Sequence, residues 1–125
     1  MSINNINILE KHPFFEPWID PESGIKSYIL KERVAPLQQS FYFVNSSFSK
    51  DEKWLWFYMG FPPSPNKILG AINMDPDKPK IFKFPQLSHE GSSPMVSDEG
   101  DGVYFCMGPS VWFYKIGNEP EKVCT

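Results

Sequence analysis

Histidine side chains are the first place to look for a metal site in this sequence. The two histidines, His12 and His89, lie 77 positions apart (89 − 12) and in different sequence contexts. A histidine metal site needs several ligands that converge on one point. Because two isolated histidines do not supply such a set, we expect no metal site, no cofactor and no catalytic residue on this chain.

Two pairs of adjacent carboxylates could act as general acid and base. The pairs are Asp51-Glu52 and Asp98-Glu99, and each pair precedes an apolar run. Both positions are typical of turns, so a structural role is the simpler interpretation. Ser49 lies next to the first pair, but the spacing of the histidines and aspartates predicts no hydrolytic triad around it.

Aromatic residues supply much of the apolar content. The 125 residues include 11 Phe, 5 Tyr and 4 Trp, together with 13 Pro and 8 Gly. Flat rings favour strands, and the many helix breakers leave no room for long helices. Trp54, Trp56 and Trp112 could stack on sugars, but their position in apolar runs indicates core packing. We therefore predict an all-β protein.

Charge and hydropathy exclude several classes of partner. The net charge is −3, and Arg33 is the single arginine, so no basic stripe predicts nucleic-acid binding. No run approaches the roughly 18 apolar residues of a membrane span, and residues 1–5 do not resemble a signal peptide. We expect a cytoplasmic protein that contacts no membrane. Cys106 lies in an apolar run and is expected to be a buried free thiol.

A segment near the middle of the chain recurs closer to its end. Residues 45–57 combine a polar half with an apolar half, and residues 95–105 repeat this order at an offset of 48 positions (96 − 48). The matching pairs are Phe48 with Val96, Ser49 with Ser97, and Phe57 with Phe105. A constant offset in the range of roughly 20 to 50 residues is typical of repeat architectures.

Predicted strands and turns divide residues 1–125, as one domain, into a half-unit and two larger units. The half-unit, 16–30, is a hairpin around the turn Asp20-Pro21-Glu22-Ser23-Gly24, and residues 31–39 form a linker. The first full unit covers 40–84, and the second, incomplete unit covers 92–125. The predicted strands are 40–45 with Phe48, 54–59, 67–74 and 80–84, then 94–97, 103–107, 111–116 and a start at 122–123.

Four antiparallel strands in each unit match the blade of a β-propeller. We predict about two blades that belong to a larger ring of about seven. Two blades cannot close a ring, so the remaining blades or another chain would cover the open sheet ends.

Loops between blades and loops between the second and third strands share one face of a propeller. This face would carry Gln38, Gln39, residues 60–66 and His89, the last in a predicted loop at 85–93. Gln39 and His89 are therefore the candidate residues for binding a substrate. The alternative is that His89 is a surface histidine in a solvated loop.

The segment 49–57 resembles the blade signature of propellers related to the TolB protein and to WD40 repeats. That signature reads Ser-Pro-Asp-Gly before an apolar strand, whereas here Lys50 and Glu52 replace Pro and Gly. The copy at 97–100 departs further from it. Across residues 20–58, the order of Asp-Pro-x-x-Gly, the aromatic run from Gln39 and the segment 48–57 is similar to the N-terminal part of oligogalacturonate lyases.

The resemblance to oligogalacturonate lyases implies β-elimination on short pectin fragments, as part of pectin degradation. It also implies a divalent metal such as manganese, bound largely by histidines, and a basic group that removes the ring proton. In that family these groups follow the N-terminal blades, and no position here matches them. We therefore expect this chain to be inactive alone. The alternative is a non-catalytic propeller scaffold that binds a protein or a small ligand.

Overall fold

The protein is built from antiparallel β-strands. The computed structural model describes residues 8–41, 46–89, 94–98 and 101–125. Of these described residues, 51% are in strands and 4% in helix, which confirms the all-β prediction. Residues 8–11 form one helical turn. The strands are β1 Phe15–Ile19, β2 Lys26–Leu30, β3 Leu37–Gln39, β4 Trp54–Gly60, β5 Lys67–Asn73, β6 Lys80–His89, β7 Met95–Val96, β8 Gly102–Met107, β9 Ser110–Lys115 and β10 Glu121–Cys124.

The strands form three sheets that follow one another along the chain. Strands β1 and β2 make the N-terminal hairpin, β3 to β6 make the middle sheet, and β7 to β10 make the C-terminal sheet. Within each sheet the strands pair in chain order and antiparallel, and no sheet closes into a ring. This meander topology needs only short connections between neighbouring strands.

The N-terminal hairpin turns where the sequence predicts. The Asp20 carboxylate accepts hydrogen bonds from the Glu22 N–H and the Ser23 hydroxyl, both at 2.9 Å. Gly24 has a φ of 73°, which glycine adopts without steric cost. Because side chains alternate along a strand, Tyr28 and Leu30 pack towards the core, whereas Ile25 and Ile29 are exposed.

The middle sheet is covered on both faces, as the unbroken apolar run in β4 predicts. Side chains alternate along a strand, so Trp56 and Tyr58 face one side and Phe57 and Met59 face the other. The first side packs against the C-terminal sheet through Val103, Phe105 and Tyr114. The second side packs against the N-terminal segment and hairpin through Leu9, Phe15, Tyr28 and Leu30. The core therefore consists of two apolar layers, one on each face of the middle sheet.

The internal repeat is visible in the strand register. Phe48 pairs with Leu55, and Val96 pairs with Val103, so both partners shift by 48 positions. The same shift relates two backbone hydrogen bonds of 2.9 Å, which are Ser49 N–H to Trp54 O and Ser97 N–H to Gly102 O. Beyond the end of β4 the offset falls to 42. Eight residues separate the paired Met59 and Ile68, whereas two residues separate the equivalent pair Met107 and Ser110.

The first strand of the middle sheet differs from its prediction. Residues 31–39 were expected to be a linker, yet Leu37–Gln39 pairs with β4. Gln39 and Phe48 are nine residues apart, whereas their partners on β4, Tyr58 and Leu55, are three residues apart. The chain between Gln39 and Phe48 is therefore six residues longer than the stretch of β4 that it pairs with. Phe41 does not take part in strand pairing. Its ring stacks on that of Tyr58, with 5.8 Å between the ring centroids. The other predicted strand residues, 42–45, lie outside the described residues.

Strand β6 continues beyond its predicted end at Phe84. Leu69 pairs with Phe84 and Ile68 pairs with Ser88, so residues 85–87 form a bulge. Pro85 has no N–H for the ladder, which explains why the sheet bulges there. His89 is therefore the last residue of a strand and not part of a loop.

Two details of the C-terminal sheet also differ from expectation. Cys106 is exposed and not buried, because it lies on the outer face of this sheet. The sheet also has a fourth strand, Glu121–Cys124, which extends the predicted start at 122–123.

Candidate functional site

The two predicted binding residues lie at the same end of the middle sheet. Leu37, Gly60, Lys67 and His89 pair in a row across its four strands, and Gln39 is two residues from the start of this row. Neighbouring strands are about 4.8 Å apart, so the backbones of β3 and β6 are separated by about 14 Å. The structure thus places Gln39 and His89 at one end of the sheet but on opposite edges.

Gln38 holds the segment before β3 in place. Its side-chain oxygen accepts hydrogen bonds from the N–H groups of Val34 at 2.6 Å and Ala35 at 3.2 Å. Its side-chain nitrogen donates to the Glu32 carbonyl at 3.1 Å. Because these bonds satisfy backbone groups of one tight turn, the predicted rim residue Gln38 has a structural role.

Gln39 lines a cleft of about 310 Å³ between the N-terminal hairpin and the middle sheet, which we call the hairpin cleft. The polar lining comes from Arg33, Gln38, Gln39 and Ser40. The other lining residues are Phe15, Tyr28, Ile29, Leu30, Leu55, Trp56, Phe57 and Ile72. Among these, the side chains of Ile29 and Trp56 lie on the opposite faces of their strands. Apolar walls with a few polar groups at one edge are typical of ligand sites.

Arg33 contributes a positive charge to the hairpin cleft. One guanidinium nitrogen, Nη2, donates to the carbonyls of Pro36 at 2.9 Å and Ala35 at 3.3 Å. Within the described part of the chain, no carboxylate forms an ion pair with Arg33. Arg33 was expected to lie in a linker without a binding role, although a single arginine in the chain is a signal for such a role.

Tyr28, which lines the hairpin cleft, is fixed by a small polar network. Glu10 accepts hydrogen bonds from the Tyr28 hydroxyl at 2.8 Å and from Lys26 Nζ at 3.0 Å. The hydrogen bond from Lys26, and then the bond from Tyr28, lower the pKa of Glu10 below its ordinary value. This network ties the helical turn at 8–11 to β2 and orients the ring of Tyr28.

Ser49 and Asp51 stabilise the turn before β4. The Ser49 hydroxyl is buried, donates to Asp51 Oδ1 at 2.5 Å, and accepts from the Trp54 N–H at 3.1 Å. Asp51 Oδ1 also accepts from the Lys53 N–H at 3.0 Å. The hydrogen bond from Ser49 is the main cause that lowers the pKa of Asp51. These contacts show the structural role in a turn that the sequence indicated for Asp51.

His12 has both ring nitrogens occupied in the core. Its side chain is 1% exposed, and Nε2 donates to the Asn73 carbonyl at 2.8 Å. Nδ1 accepts the Phe14 N–H at 3.3 Å, a pattern that assigns the hydrogen to Nε2. Asn73 and Lys67 are at opposite ends of β5, so His12 and His89 are about 20 Å apart along the sheet.

Among the described residues, no three His, Cys, Asp or Glu side chains converge where a metal ion could bind. In the same residues, no helix has the length and apolar character needed to cross a membrane. No protein-family model, curated protein or solved structure matches this chain. The hairpin cleft is the candidate site because Gln39, a predicted binding residue, and Arg33 both line it.

Proposed function

We propose that the chain forms consecutive blades of a TolB/WD40-like β-propeller within a larger ring of about seven blades. In this proposal the middle and C-terminal sheets are two blades, and the N-terminal hairpin is half of another. The proposal is supported by the order of strands in each four-stranded sheet, by the shared register and by the face-to-face packing of successive sheets.

We further propose that this propeller binds short acidic oligosaccharides, in keeping with the resemblance to oligogalacturonate lyases. The observation that carries this proposal is Arg33, which has no carboxylate partner among the described residues and lines the same hairpin cleft as Gln39. A guanidinium binds a uronate carboxylate through charge-assisted hydrogen bonds. The amide of Gln39 offers donors and an acceptor for sugar hydroxyls.

We assign no catalytic step to this chain. β-Elimination beside a uronate requires a metal ion or cationic donors to stabilise the developing charge. In the proposal, groups outside these residues supply that stabilisation, including the manganese that the resemblance implies. His12 is already held by Asn73 and Phe14, and it lies about 20 Å from His89 along the sheet.

A titration of the purified protein with trigalacturonate, followed by calorimetry, tests the binding proposal. We expect the acidic sugar to bind and neutral trigalactose to bind more weakly. Arg33→Lys keeps the charge but loses the planar fork of donors, so affinity should fall by roughly tenfold. Lys31→Ala, a neighbouring exposed residue, is the control and should bind within about twofold of the unchanged protein. Equal binding by the Arg33→Lys variant, or equal binding of both sugars, would contradict the assignment.

The second candidate function is a non-catalytic propeller scaffold that binds a protein or a small ligand. The observation that favours it is the apolar surface on the two outermost layers, the N-terminal hairpin and the C-terminal sheet. If trigalacturonate does not bind while circular dichroism shows intact β-structure, the scaffold function would replace the oligosaccharide proposal.

A further inference from the structure

A lysine and a tyrosine meet between the two predicted binding residues of the middle sheet. Lys67 Nζ lies over the ring of Tyr58, 4.7 Å from the ring centroid. Tyr58 pairs with Gln39 on β3, and Lys67 pairs with His89 on β6, so the contact lies on the two central strands. Tyr58 faces the C-terminal sheet, whereas the hairpin cleft lies on the other face of the middle sheet. Lys67 therefore belongs to a surface that the hairpin cleft does not include.

Charge differs between the two ends of the middle sheet. At the Lys67 end, residues 37–39, 58–69 and 84–89 include one lysine and no Asp or Glu. The turns at the other end contain four carboxylates, Asp51, Glu52, Asp75 and Asp77. In the ranges that the structure describes, no ion pair links Lys67 to a carboxylate. An anion is therefore attracted to the Lys67 end of the sheet and repelled from the opposite end.

The Lys67 side chain is held in place by the ring beneath it. Tyr58 is buried, and its ring stacks on that of Phe41, so the ring is itself fixed. A cation over an aromatic face is attracted by the ring, which restricts the long lysine side chain before any ligand arrives. Such restriction lowers the entropy that is lost on binding. Gly60, directly opposite Lys67 on β4, has no side chain that could cover the ammonium group.

We propose that Lys67 is the cationic group of an anion-binding site at this end of the middle sheet, separate from the hairpin cleft. The ligand is a small hydroxylated molecule that carries one carboxylate or phosphate group. The ammonium group binds the anionic oxygens through charge-assisted hydrogen bonds. Gln39, directly opposite Tyr58 on the edge strand β3, offers its amide to a neighbouring hydroxyl of the ligand. Tyr58 is a positioning residue, since it holds Lys67 and does not contact the anion.

Acetylation of lysines by acetic anhydride, read by mass spectrometry of peptides, locates the site. The probes are galacturonate, galactose 6-phosphate and neutral galactose, at concentrations around a dissociation constant on the order of millimolar. We expect an anionic probe to slow the acetylation of Lys67 and neutral galactose to leave it unchanged. Lys80 is the internal control, because its Nζ lies over the ring of Phe82 at 4.6 Å but at the acidic end of the same sheet.

The pattern of protection identifies the anionic group. Protection by galacturonate alone assigns a carboxylate, and protection by galactose 6-phosphate alone assigns a phosphate. Protection by both means that the site recognises the charge. Equal acetylation of Lys67 with all three probes, or equal protection of Lys67 and Lys80, would overturn the proposal.

Calorimetry with the protecting probe measures what each residue contributes. Lys67→Gln should weaken binding by roughly tenfold, because it removes a hydrogen-bond donor that is charged. Lys80→Gln is the matched control and should bind within about twofold of the unchanged protein. Unchanged affinity of Lys67→Gln would contradict the assignment, and circular dichroism of each variant checks that the β-structure is retained.

Two substitutions of Tyr58 test its positioning role. Tyr58→Phe keeps the ring under Lys67 and should bind within about twofold of the unchanged protein. Tyr58→Leu removes the ring and should weaken binding by roughly threefold or more. If both variants weaken binding equally, the ring does not position Lys67, and that part of the proposal is wrong.

This site requires an anionic group but not the oligosaccharide binding proposed above, and the two can fail separately. Arg33→Lys should leave the protection of Lys67 unchanged, because the hairpin cleft lies on the other face of the middle sheet. Protection of Lys67 in a protein that binds no trigalacturonate would overturn only the oligosaccharide proposal. Trigalacturonate binding that Lys67→Gln leaves unchanged, with no probe protecting Lys67, would overturn only this inference.

Discussion

The ring of Phe84 in the middle sheet lies 5.0 Å from the ring of Tyr114 in the C-terminal sheet, with an angle of 55° between the ring planes. Both side chains are buried. Rings at this distance and tilt stabilise each other beyond the burial of their area. The contact joins the two sheets, so the core on this face of the middle sheet should unfold as one unit.

Trp56→Ala should destabilise the protein by about 3 to 5 kcal/mol, because it removes the largest buried side chain of the same apolar layer. Trp56 is 0% exposed, and its ring lies 5.7 Å from that of Phe84. Denaturant titration measures the change in the free energy of unfolding. Trp18→Ala, at an exposed position, is the control and should cost well under about 1 kcal/mol. A loss below about 1 kcal/mol for Trp56→Ala would mean that the ring is accessible, and sugar stacking would have to be reconsidered.

His12→Ala should destabilise the packing of the N-terminal segment on the middle sheet. The change leaves the Asn73 carbonyl and the Phe14 N–H without their partner, at a cost of about 1 to 3 kcal/mol. Limited proteolysis should then cleave the segment before β1 faster. Lys11→Ala, at an exposed neighbouring position, provides the comparison. Identical cleavage rates for the two variants would show that the buried hydrogen bonds contribute nothing.

The pH dependence of stability should include a contribution from Asp51. The hydrogen bond from Ser49 holds the pKa of Asp51 in the folded protein below its ordinary value of 3.8. A lowered folded-state pKa means that this contribution is present above about pH 4 and is lost as the pH falls through the folded-state pKa. Asp51→Asn should therefore flatten the fall in unfolding free energy between about pH 5 and pH 2.

Urea titrations at a series of pH values measure this effect. Ser49→Ala removes the main cause of the lowered pKa while keeping the carboxylate, so it should flatten the same region. Curves of unchanged steepness for both variants would argue against a stabilising role for this hydrogen bond.

The purified protein should show no lyase activity. Incubation with oligogalacturonates and divalent manganese, followed by ultraviolet absorbance of the unsaturated product, measures the reaction. The expected absorbance is the same as that of a His89→Ala preparation purified in parallel, which controls for contaminating enzymes. Turnover that persists on further purification and disappears in His89→Ala would contradict our assignment, which includes no catalytic residue on this chain.

Local features of the fold could be predicted from the sequence. The turn at Asp20 to Gly24, the apolar run of β4 and the 48-residue offset each depend on neighbouring residues, on strand periodicity or on repetition. The strands of the C-terminal sheet were also located to within a few residues. These features follow from the sequence because backbone preferences and side-chain alternation act over short distances.

The candidate site depended on tertiary structure. Gln39 was predicted from its place in a loop-rich region, but the hairpin cleft and the contribution of Arg33 arise only when the N-terminal hairpin packs on the middle sheet. His89 lies on the opposite edge of that sheet because β6 is its last strand and continues past the bulge at 85–87. Sequence spacing does not report such long-range distances.

The sequence by itself determined the all-β class, the turns and the repeat, since these follow from residue types and their periods. Only the tertiary structure decided which faces are covered. Cys106 and Phe105 are neighbours in one apolar run, yet Phe105 is buried against the middle sheet and Cys106 is exposed. Adjacent residues of a strand point to opposite faces, and burial on each face depends on whether another layer packs there.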